Sequence, residues 1–545
     1  MSHKKLVTGV IAVWVAVMAV IGLNLSDSEH RNRQKENVSV SVKESDPGWK
    51  KHADEPVTLK WYVNFSWFGK TWGTDMVSRE ITKETGVSVK FVTPEGNGSE
   101  KLDTMIQTDS LPDIITLGWW ENQLKDMIDK KQVYALNELA DQYDAYFYKV
   151  TNPELVSWYT QDDGNIYGYP NSAVTPSDLK SHQIGSNQTF LVRKDIYEAI
   201  GSPDMSTRKG FKDAVEKAVK MFPQVNGKPL IPIGAHAFAE NGNVSFDQYL
   251  MNFLAVPYEK NGTYYDRYTD PQYVSWLKFF NEMYREGYIP DDVFVDQRAQ
   301  IEEKIAQGRY FCMLYQYTDM EAQEKERYAN DPNSIYIAVK GPANDNGDDP
   351  KLPVTGANGW TVTLISKNCK HPDRAIQFMD YFLSEHGQKM IYLGVKGKMW
   401  DEVNGKPVIH EDIRKVRDND RDTYDRVYGA DDTYWMLQVN TTQMKWEQDM
   451  DEPMKSLREW SYPYACYTAQ YDGPLVSGSE EETASNRIDS LWSETLPDLL
   501  MAKDDETFDT EMKQFEERRN ELGFRKVMQA KTDVMKESKK KLGLS

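Results

Sequence analysis

Short β-type runs alternate with helical patterns in the first part of this sequence. The strand-like runs are 56–63, 87–92 and 111–117, and the helical patterns between them are 74–85 and 101–108. Gly86 follows the first helical pattern directly, as a C-terminal stop for that helix. This β-α-β-α-β order predicts an open α/β sheet in which most strands pair in parallel.

The alternation continues well beyond residue 117, and the chain becomes mostly helical after Thr433. The later strand-like runs are 188–192, 231–234, 308–315 and 360–365, and the later helical patterns are 136–148, 209–221, 248–254, 271–286 and 372–384. At 545 residues the chain is too long for one ordinary core. We therefore expect two or more lobes of α/β type.

The N-terminus carries an uncharged apolar run from Leu6 to Leu25, preceded by Lys4 and Lys5. This length suffices to span a bilayer as a helix, and the lysines favour a cytoplasmic N-terminus. We expect an uncleaved membrane anchor, with a cleaved signal peptide as the alternative, because no small-x-small cleavage pattern follows the run. The polar residues 26–55 then predict a flexible stalk outside the membrane.

Charge and cysteine content exclude several classes of protein. The net charge is −20 and no basic stripe is present, so a nucleic-acid partner is not expected. The three cysteines, Cys312, Cys369 and Cys466, allow at most one disulfide and lack the spacing of a zinc site. Known catalytic motifs such as GxSxG, HExxH, the P-loop and GxGxxG do not occur.

Several segments resemble family 1 extracellular solute-binding proteins of bacterial ABC importers. The two strongest are residues 368–387, NCKHPDRAIQFMDYFLSEHG, and residues 305–313, IAQGRYFCM. Shorter similarities follow in matching order at 111–114 (LPDI), 164–170 (GNIYGYP) and 190–197 (FLVRKDIY). The GVKG at 394–397 resembles the large oligosaccharide-binding members from Gram-positive bacteria. The ordered set covers roughly residues 56 to 400.

The resemblance implies a periplasmic-binding-protein-like fold, in which two α/β lobes joined by a hinge close on a carbohydrate. Its partners would be ABC permease subunits, at the extracellular face of the cytoplasmic membrane. The expected divisions are lobe 1 over 56–185 and 361–450, lobe 2 over 186–360, and a C-terminal helical region over 451–545 that packs on the lobes. No cofactor is expected.

No metal is expected either, although some relatives carry a calcium loop. The corresponding segment, 222–229, lacks the carboxylates of such a loop. A second acidic segment, 344–349, lacks the glutamate that closes a calcium-binding loop and predicts an acidic turn.

Ligands of open α/β sheets bind beyond the carboxyl ends of strands, and aromatic rings there suit the apolar face of a sugar. By this argument the candidate ligand-binding residues are Trp67 and Trp72 after the first strand, and Asp113, Trp119 and Trp120 at the third. The resemblance adds Tyr315, Tyr317 and Asp319, after the strand that follows Gly308, and Trp360. For each residue the alternative role is packing or capping. Arg193 is expected to form a hinge salt bridge rather than to bind an acidic sugar.

Two other functions remain open from the sequence alone. One is a surface glycoside hydrolase, which would need two carboxyl groups about 5–10 Å apart across a sugar subsite. The other is a sugar-sensing surface protein that meets no transporter. The absence of catalytic motifs favours binding over catalysis.

Overall fold

The structure is a computed structural model, and it describes residues 47–95, 98–239, 242–447, 450, 452–476 and 478–544. The anchor predicted over 1–25, and residues 26–46 of the predicted stalk, lie outside the described residues. The chain divides into two compact units. Unit 1 comprises the residues up to Ala173 and Ala357–Trp446, and unit 2 comprises Val174–Gly356 and Glu447–Ser545. The helices predicted over 451–545 thus belong to unit 2.

Each unit contains one principal sheet. Their strands, in chain order, are β1 (Val57–Val63), β2 (Val87–Val92), β3 (Ile114–Gly118), β4 (Gly168–Pro170), β5 (Gln188–Arg193), β6 (Ile231–Gly234), β7 (Tyr310–Gln316), β8 (Tyr336–Ala338) and β9 (Thr361–Ile365). The sheet of unit 1 has the order β2-β1-β3-β9-β4, and that of unit 2 has the order β8-β5-β7-β6. The mixed α/β class expected from the alternation is confirmed.

The expectation of mostly parallel pairing is wrong. In unit 1, β1 pairs in parallel with β2 and β3, but β9 is antiparallel to both β3 and β4. In the principal sheet of unit 2, β6 and β7 pair in parallel, whereas β5 is antiparallel to both β7 and β8. In unit 1 the reason is the chain path. β9 enters after the excursion through unit 2, not through a helical crossover that would impose a parallel direction.

The helices of unit 1 cover its sheet. The longer ones are Met76–Thr85, Gly98–Gln107, Asn122–Asp129, Leu136–Tyr143, Pro372–Leu383, Glu385–Leu393 and Glu411–Asn419. The helix Pro372–Leu383 is buried from Arg374 to its end, and Phe378 and Phe382 pack edge-on against Trp61 of β1. This helix is therefore part of the core and not an amphipathic surface helix.

The folded body begins earlier than predicted. Residues 47–55 were expected to belong to a flexible stalk, but Gly48–Lys51 forms a short helix and Trp49 is buried. The Trp49 ring packs edge-on against Tyr381 at 4.9 Å, and the Gly48 N–H donates to Asp144 Oδ2 at 2.8 Å. These contacts attach the segment to unit 1.

Unit 2 contains seven longer helices among the described residues. They are Arg208–Met221, Pro271–Arg285, Arg298–Ala306, Glu321–Asn330, Glu480–Leu500, Asp505–Glu521 and Phe524–Lys541. The C-terminal helices join the core through the fully buried Trp492, which packs against Tyr268 and Phe515 and donates to Asp247 Oδ1 at 2.6 Å. In the part of the chain that the structure describes, no helix combines the length and apolarity needed to span a bilayer.

Candidate functional site

Three chain segments meet at one edge of the unit 1 sheet. β1 and β3 are parallel, so the residues that follow Val63 and Gly118 lie at the same edge. β9 runs the opposite way, with Thr361 opposite Gly118, so the residue before it, Trp360, comes to this edge as well. The Trp119 N–H donates to the Trp360 carbonyl at 3.4 Å, which ties two of these segments together.

Four aromatic rings form a continuous surface at this edge, named here the tryptophan surface: Phe65, Trp67, Trp360 and Trp435. Trp67 lies parallel to Trp360, with 6.1 Å between ring centroids and 6° between planes. Trp435 lies 4.4 Å from Trp360 and 5.6 Å from Trp67. Phe65 contacts all three tryptophans. The contacts hold the rings without any need for ligand.

The tryptophan surface offers an apolar face to solvent. The side chain of Trp67 is 59% exposed, although a ring of this size usually avoids water. Trp360 is partly buried, and Trp435 is buried with no hydrogen-bond partner for its indole Nε1. A large exposed ring supported by buried rings is typical of a binding surface rather than of a core.

A second aromatic pair lies beside this surface. Trp119 and Trp120 follow β3 and contact each other edge-on at 6.2 Å. Trp120 is 52% exposed and folds back over Gly118. A Cβ on Gly118 would lie 2.6 Å from the Trp120 ring, so glycine is needed for this ring position.

Polar side chains connect the ends of β1 and β3. Glu121 accepts from the Gly118 N–H at 2.6 Å through Oε1 and from the Asn64 side chain through Oε2. Asn64 in turn accepts from the Tyr62 hydroxyl at 2.7 Å. Burial raises the pKa of Glu121, and the two hydrogen bonds offset part of this effect.

Asn171 positions the rings contributed by the second half of unit 1. Its Oδ1 accepts from the Thr361 N–H at 2.8 Å, and its Nδ2 donates to the Trp435 carbonyl at 2.9 Å. Gly359 has φ of +68° and lies so close to Asn171 that a Cβ would be 2.2 Å from the Asn171 carbonyl oxygen. The turn before Trp360 therefore requires glycine.

A further tryptophan, Trp158, is held close to this turn. Its Nε1 donates to Asn358 Oδ1 at 2.9 Å, and the Tyr159 hydroxyl donates to the Asn358 carbonyl at 2.6 Å. Sequence reasoning did not single out Trp158, Phe65 or Trp435. Phe65 lies in the aromatic loop that was singled out for Trp67, whereas no local pattern marks Trp435.

Two predicted site residues of unit 1 lie elsewhere. Asp113 precedes β3, so it is at the amino end of the strand and not at the carboxyl end, where it was expected; its Oδ2 accepts from the Lys60 N–H at 2.7 Å. Trp72 donates to Thr82 Oγ1 at 2.8 Å and packs against Tyr434 at 4.9 Å. Both residues have structural roles that the sequence allowed as alternatives.

The carboxyl ends of the parallel strands β6 and β7 carry a polar cluster in unit 2. His236 follows β6 and stacks on Tyr315 at 4.0 Å, while its Nε2 accepts from the Gln316 N–H at 3.2 Å. Gln316 donates to Asp319 Oδ1 at 3.0 Å, and Arg298 lies 3.4 Å from the same oxygen. The structure thus brings Tyr315 and Asp319 together.

The tyrosines of this cluster are not free stacking surfaces. Tyr315 is buried and its ring is covered by His236. Tyr317 is buried in a 3-10 turn. Burial lowers the pKa of His236 to about 3, which keeps its Nε2 a neutral acceptor. Arg193 pairs with Asp195 at 2.9 Å and donates to the Gly308 carbonyl, so it is tied into unit 2.

The chemistry of these sites is that of a binder. Indole faces offer apolar contact, and the flanking amides, carboxylates and hydroxyls offer directed hydrogen bonds. No group of three or more His, Cys, Asp or Glu side chains within the described ranges could hold a metal ion. The two-unit α/β fold with this aromatic edge defines a class of solute-binding proteins.

The sequence profile of the bacterial extracellular solute-binding protein family matches residues 73–389, more than half of the chain. The chain belongs to this family, whose members are binding proteins found outside the cytoplasm. The resemblance inferred from the sequence motifs is thereby confirmed.

Curated relatives are distant. An uncharacterized protein in the butB 5′ region of Niallia circulans is 28% identical over 24% of this chain, and the match spans half of that protein. Lipoprotein LipO of Bacillus subtilis is 20% identical over 61% of this chain and 67% of that protein.

Solved structures share the fold over most of the chain. The alginate-binding protein AlgQ2 has a TM-score of 0.66 at 18% identity, covering 89% of this chain and 98% of its own. The S. pneumoniae ABC-transporter substrate-binding protein FusA, in complex with kestose, has a TM-score of 0.68 at 14% identity, covering 88% and 99%. At these identities the similarity defines the fold.

Proposed function

We propose that this protein binds an oligosaccharide on the tryptophan surface and delivers it to an ABC permease, as the extracytoplasmic subunit of an importer. The observation that carries the proposal is the exposed Trp67 ring, held parallel to Trp360 at the carboxyl edge of the sheet. The apolar face of a pyranose can stack on such a ring, and neighbouring polar groups can bind its hydroxyls. AlgQ2 and FusA, which share the fold, are described as binding alginate and kestose.

The proposal includes binding without turnover. Glycoside hydrolysis requires two carboxyl groups about 5–10 Å apart across the sugar. Glu121 is a carboxylate at the edge of the unit 1 sheet, among the described residues. Both of its oxygens already accept hydrogen bonds, from Gly118 and Asn64. An incubated sugar should therefore be recovered intact.

The deciding measurement is calorimetric titration with oligosaccharides from plant and microbial cell walls, followed by Trp67→Ala. Loss of a stacking ring should weaken binding by about 1–3 kcal/mol, or roughly 5- to 150-fold. Tyr143→Ala is the matched control, because Tyr143 is also an exposed ring of unit 1 and makes no ring contact with the tryptophan surface. Equal affinities for the wild type and Trp67→Ala would contradict stacking on Trp67. A panel without any bound sugar would contradict the function.

The proposal also places the protein on the outer face of the membrane, held by the apolar segment from Leu6 to Leu25. The support is the length and lack of charge of that segment, together with the lipoprotein LipO among the relatives. No cysteine lies between the apolar segment and Cys312, so the attachment proposed here is through the segment itself. Fractionation tests this directly. The full chain should sediment with membranes, and a chain that starts at residue 47 should not.

A further inference from the structure

The tryptophan surface contrasts with other aromatic rings of the chain in its lack of cations. Thirteen lysine or arginine side chains lie over aromatic faces among the described residues, including Lys389 over Trp446 at 4.9 Å and Lys396 over Trp400 at 5.4 Å. None of these cations lies over Trp67, Trp360 or Trp435, or over Phe65, Trp119, Trp120 or Trp158. A chain that often places cations on aromatic rings has placed none on this surface.

Two ionisable groups are fixed near this edge. The cation, Lys70 in the loop of Trp67, is already paired with Asp425, and the other group is the carboxyl group of Glu121. Glu121 accepts hydrogen bonds from Gly118 and Asn64, and no ion pair within the described part of the chain includes it. An acidic sugar bound here would bring a second negative charge towards Glu121. The sugar carboxylate would lose water without gaining a cation in exchange.

The cation in the polar cluster of unit 2 is already paired. Arg298 donates to Glu302 at 2.7 Å and lies 3.4 Å from Asp319. Each carboxylate competes with a ligand for the same guanidinium. This cluster therefore provides no spare positive charge that an acidic sugar could use.

We propose that the solute is an uncharged oligosaccharide. The sugar residues that stack on the tryptophan surface would carry no carboxylate or sulfate group. This inference rests on the proposed function and adds the chemical class of the sugar. A neutral sugar loses only hydroxyl hydration on stacking and can regain hydrogen bonds to polar groups beside the rings. Binding without charge pairing is also insensitive to salt.

The test compares sugars that differ only in charge. Calorimetry with the full chain would use matched pairs of equal length and linkage, such as β-1,4-mannose with β-1,4-mannuronate oligomers, and α-1,4-galactose with α-1,4-galacturonate oligomers. We expect the neutral member of a bound pair to bind at least about tenfold more tightly. Its Kd should change less than about twofold between roughly 20 mM and 500 mM NaCl.

The possible outcomes separate the two proposals. Tighter binding of the uronate, or binding that weakens steeply with salt, would overturn the inference and leave sugar binding intact. Failure of every neutral and acidic sugar to bind would overturn the proposed function and the inference with it.

A charge-introducing variant provides an independent test. Ser66 is exposed and adjacent to Trp67, so Ser66→Lys adds an unpaired cation beside the surface. We expect this variant to bind uronate at least about fivefold more tightly than the wild type at low salt, with neutral-sugar affinity nearly unchanged. Thr71→Lys, at another exposed position of the same loop, is the matched control and should change neither affinity. No gain in uronate binding by Ser66→Lys would count against charge as the basis of exclusion.

Discussion

Asp380 gives a quantitative prediction about pH, because it is a buried acid without a partner. It lies in the helix Pro372–Leu383 with no solvent exposure, and neither of its carboxyl oxygens has a hydrogen bond to any residue that the structure describes. Burial, and secondarily the charge of Asp144, raise the pKa of Asp380 well above its ordinary value of 3.8. Asp144 uses its own oxygens to accept from the Gly48 and Tyr146 N–H groups, at 2.8 Å and 3.2 Å.

The sign of the effect follows from which state holds the proton. In the unfolded chain Asp380 loses its proton near pH 4, whereas in the folded protein it keeps the proton to higher pH. The contribution of protonated Asp380 to the free energy of unfolding is therefore fully present below the unfolded pKa. It is lost as the pH rises towards the folded pKa. The loss is about 1.4 kcal/mol per pH unit for one proton.

Asp380→Asn keeps the shape of the side chain and removes the titration. Between about pH 5 and 6.5 the wild type should lose more unfolding free energy than the variant, by at most about 1.4 kcal/mol for each pH unit. The assay is urea unfolding followed by tryptophan fluorescence across this range. The control is Asp129→Asn, which removes an exposed carboxylate paired with Lys125 at 3.2 Å and should leave the pH dependence nearly unchanged. Identical pH dependences for Asp380→Asn and the wild type would refute the reasoning.

Two further predictions concern the edges of the two sheets. Gly118→Ala should displace the exposed Trp120 ring with little change in melting temperature. Sugar affinity should then fall at least about threefold, and unchanged affinity would show that Trp120 is not part of the site. His236 has a folded pKa of about 3 against an ordinary 6.5, so its contribution to stability is present above pH 6.5 and is lost as the pH falls towards 3. His236→Asn should therefore reduce the loss of unfolding free energy between about pH 6 and 4 by about 1.4 kcal/mol per pH unit, and an equal loss in both proteins would contradict this.

Sequence patterns located the strands well but not their directions. The run 231–234 was predicted with the bounds that β6 has, and the helix predicted over 372–384 spans Pro372–Leu383. An apolar run indicates a buried strand, yet it contains no information about which way the chain enters the sheet. β9 is antiparallel because the chain returns from unit 2, and this depends on contacts far apart in sequence.

The comparison of predicted and observed strand ends concerns the tryptophans at the sheet edge and the misplaced Asp113. Trp67 and Trp119 were predicted as site residues because each follows a strand, and Trp360 because of the family resemblance; the sheet brings all three to one edge. Asp113 was grouped with Trp119 and Trp120, although the predicted strand 111–117 already has it near the amino end. The strand begins at Ile114, and its carboxyl end is at Gly118. An aspartate that precedes a strand cannot lie at its carboxyl end.

The contrast between Trp67 and Trp72 shows what a local pattern cannot decide. Both rings lie in one glycine-flanked loop after β1, and no local pattern distinguishes one from the other. Trp67 remains 59% exposed beside Trp435, whereas Trp72 packs on Tyr434 and bonds to Thr82. Two consecutive residues therefore have different roles. Tyr434 packs against the Trp72 ring, and Trp435 supports the exposed Trp67 ring. Since these two residues reach the loop only through the fold, exposure of Trp67 could not be predicted from the loop itself.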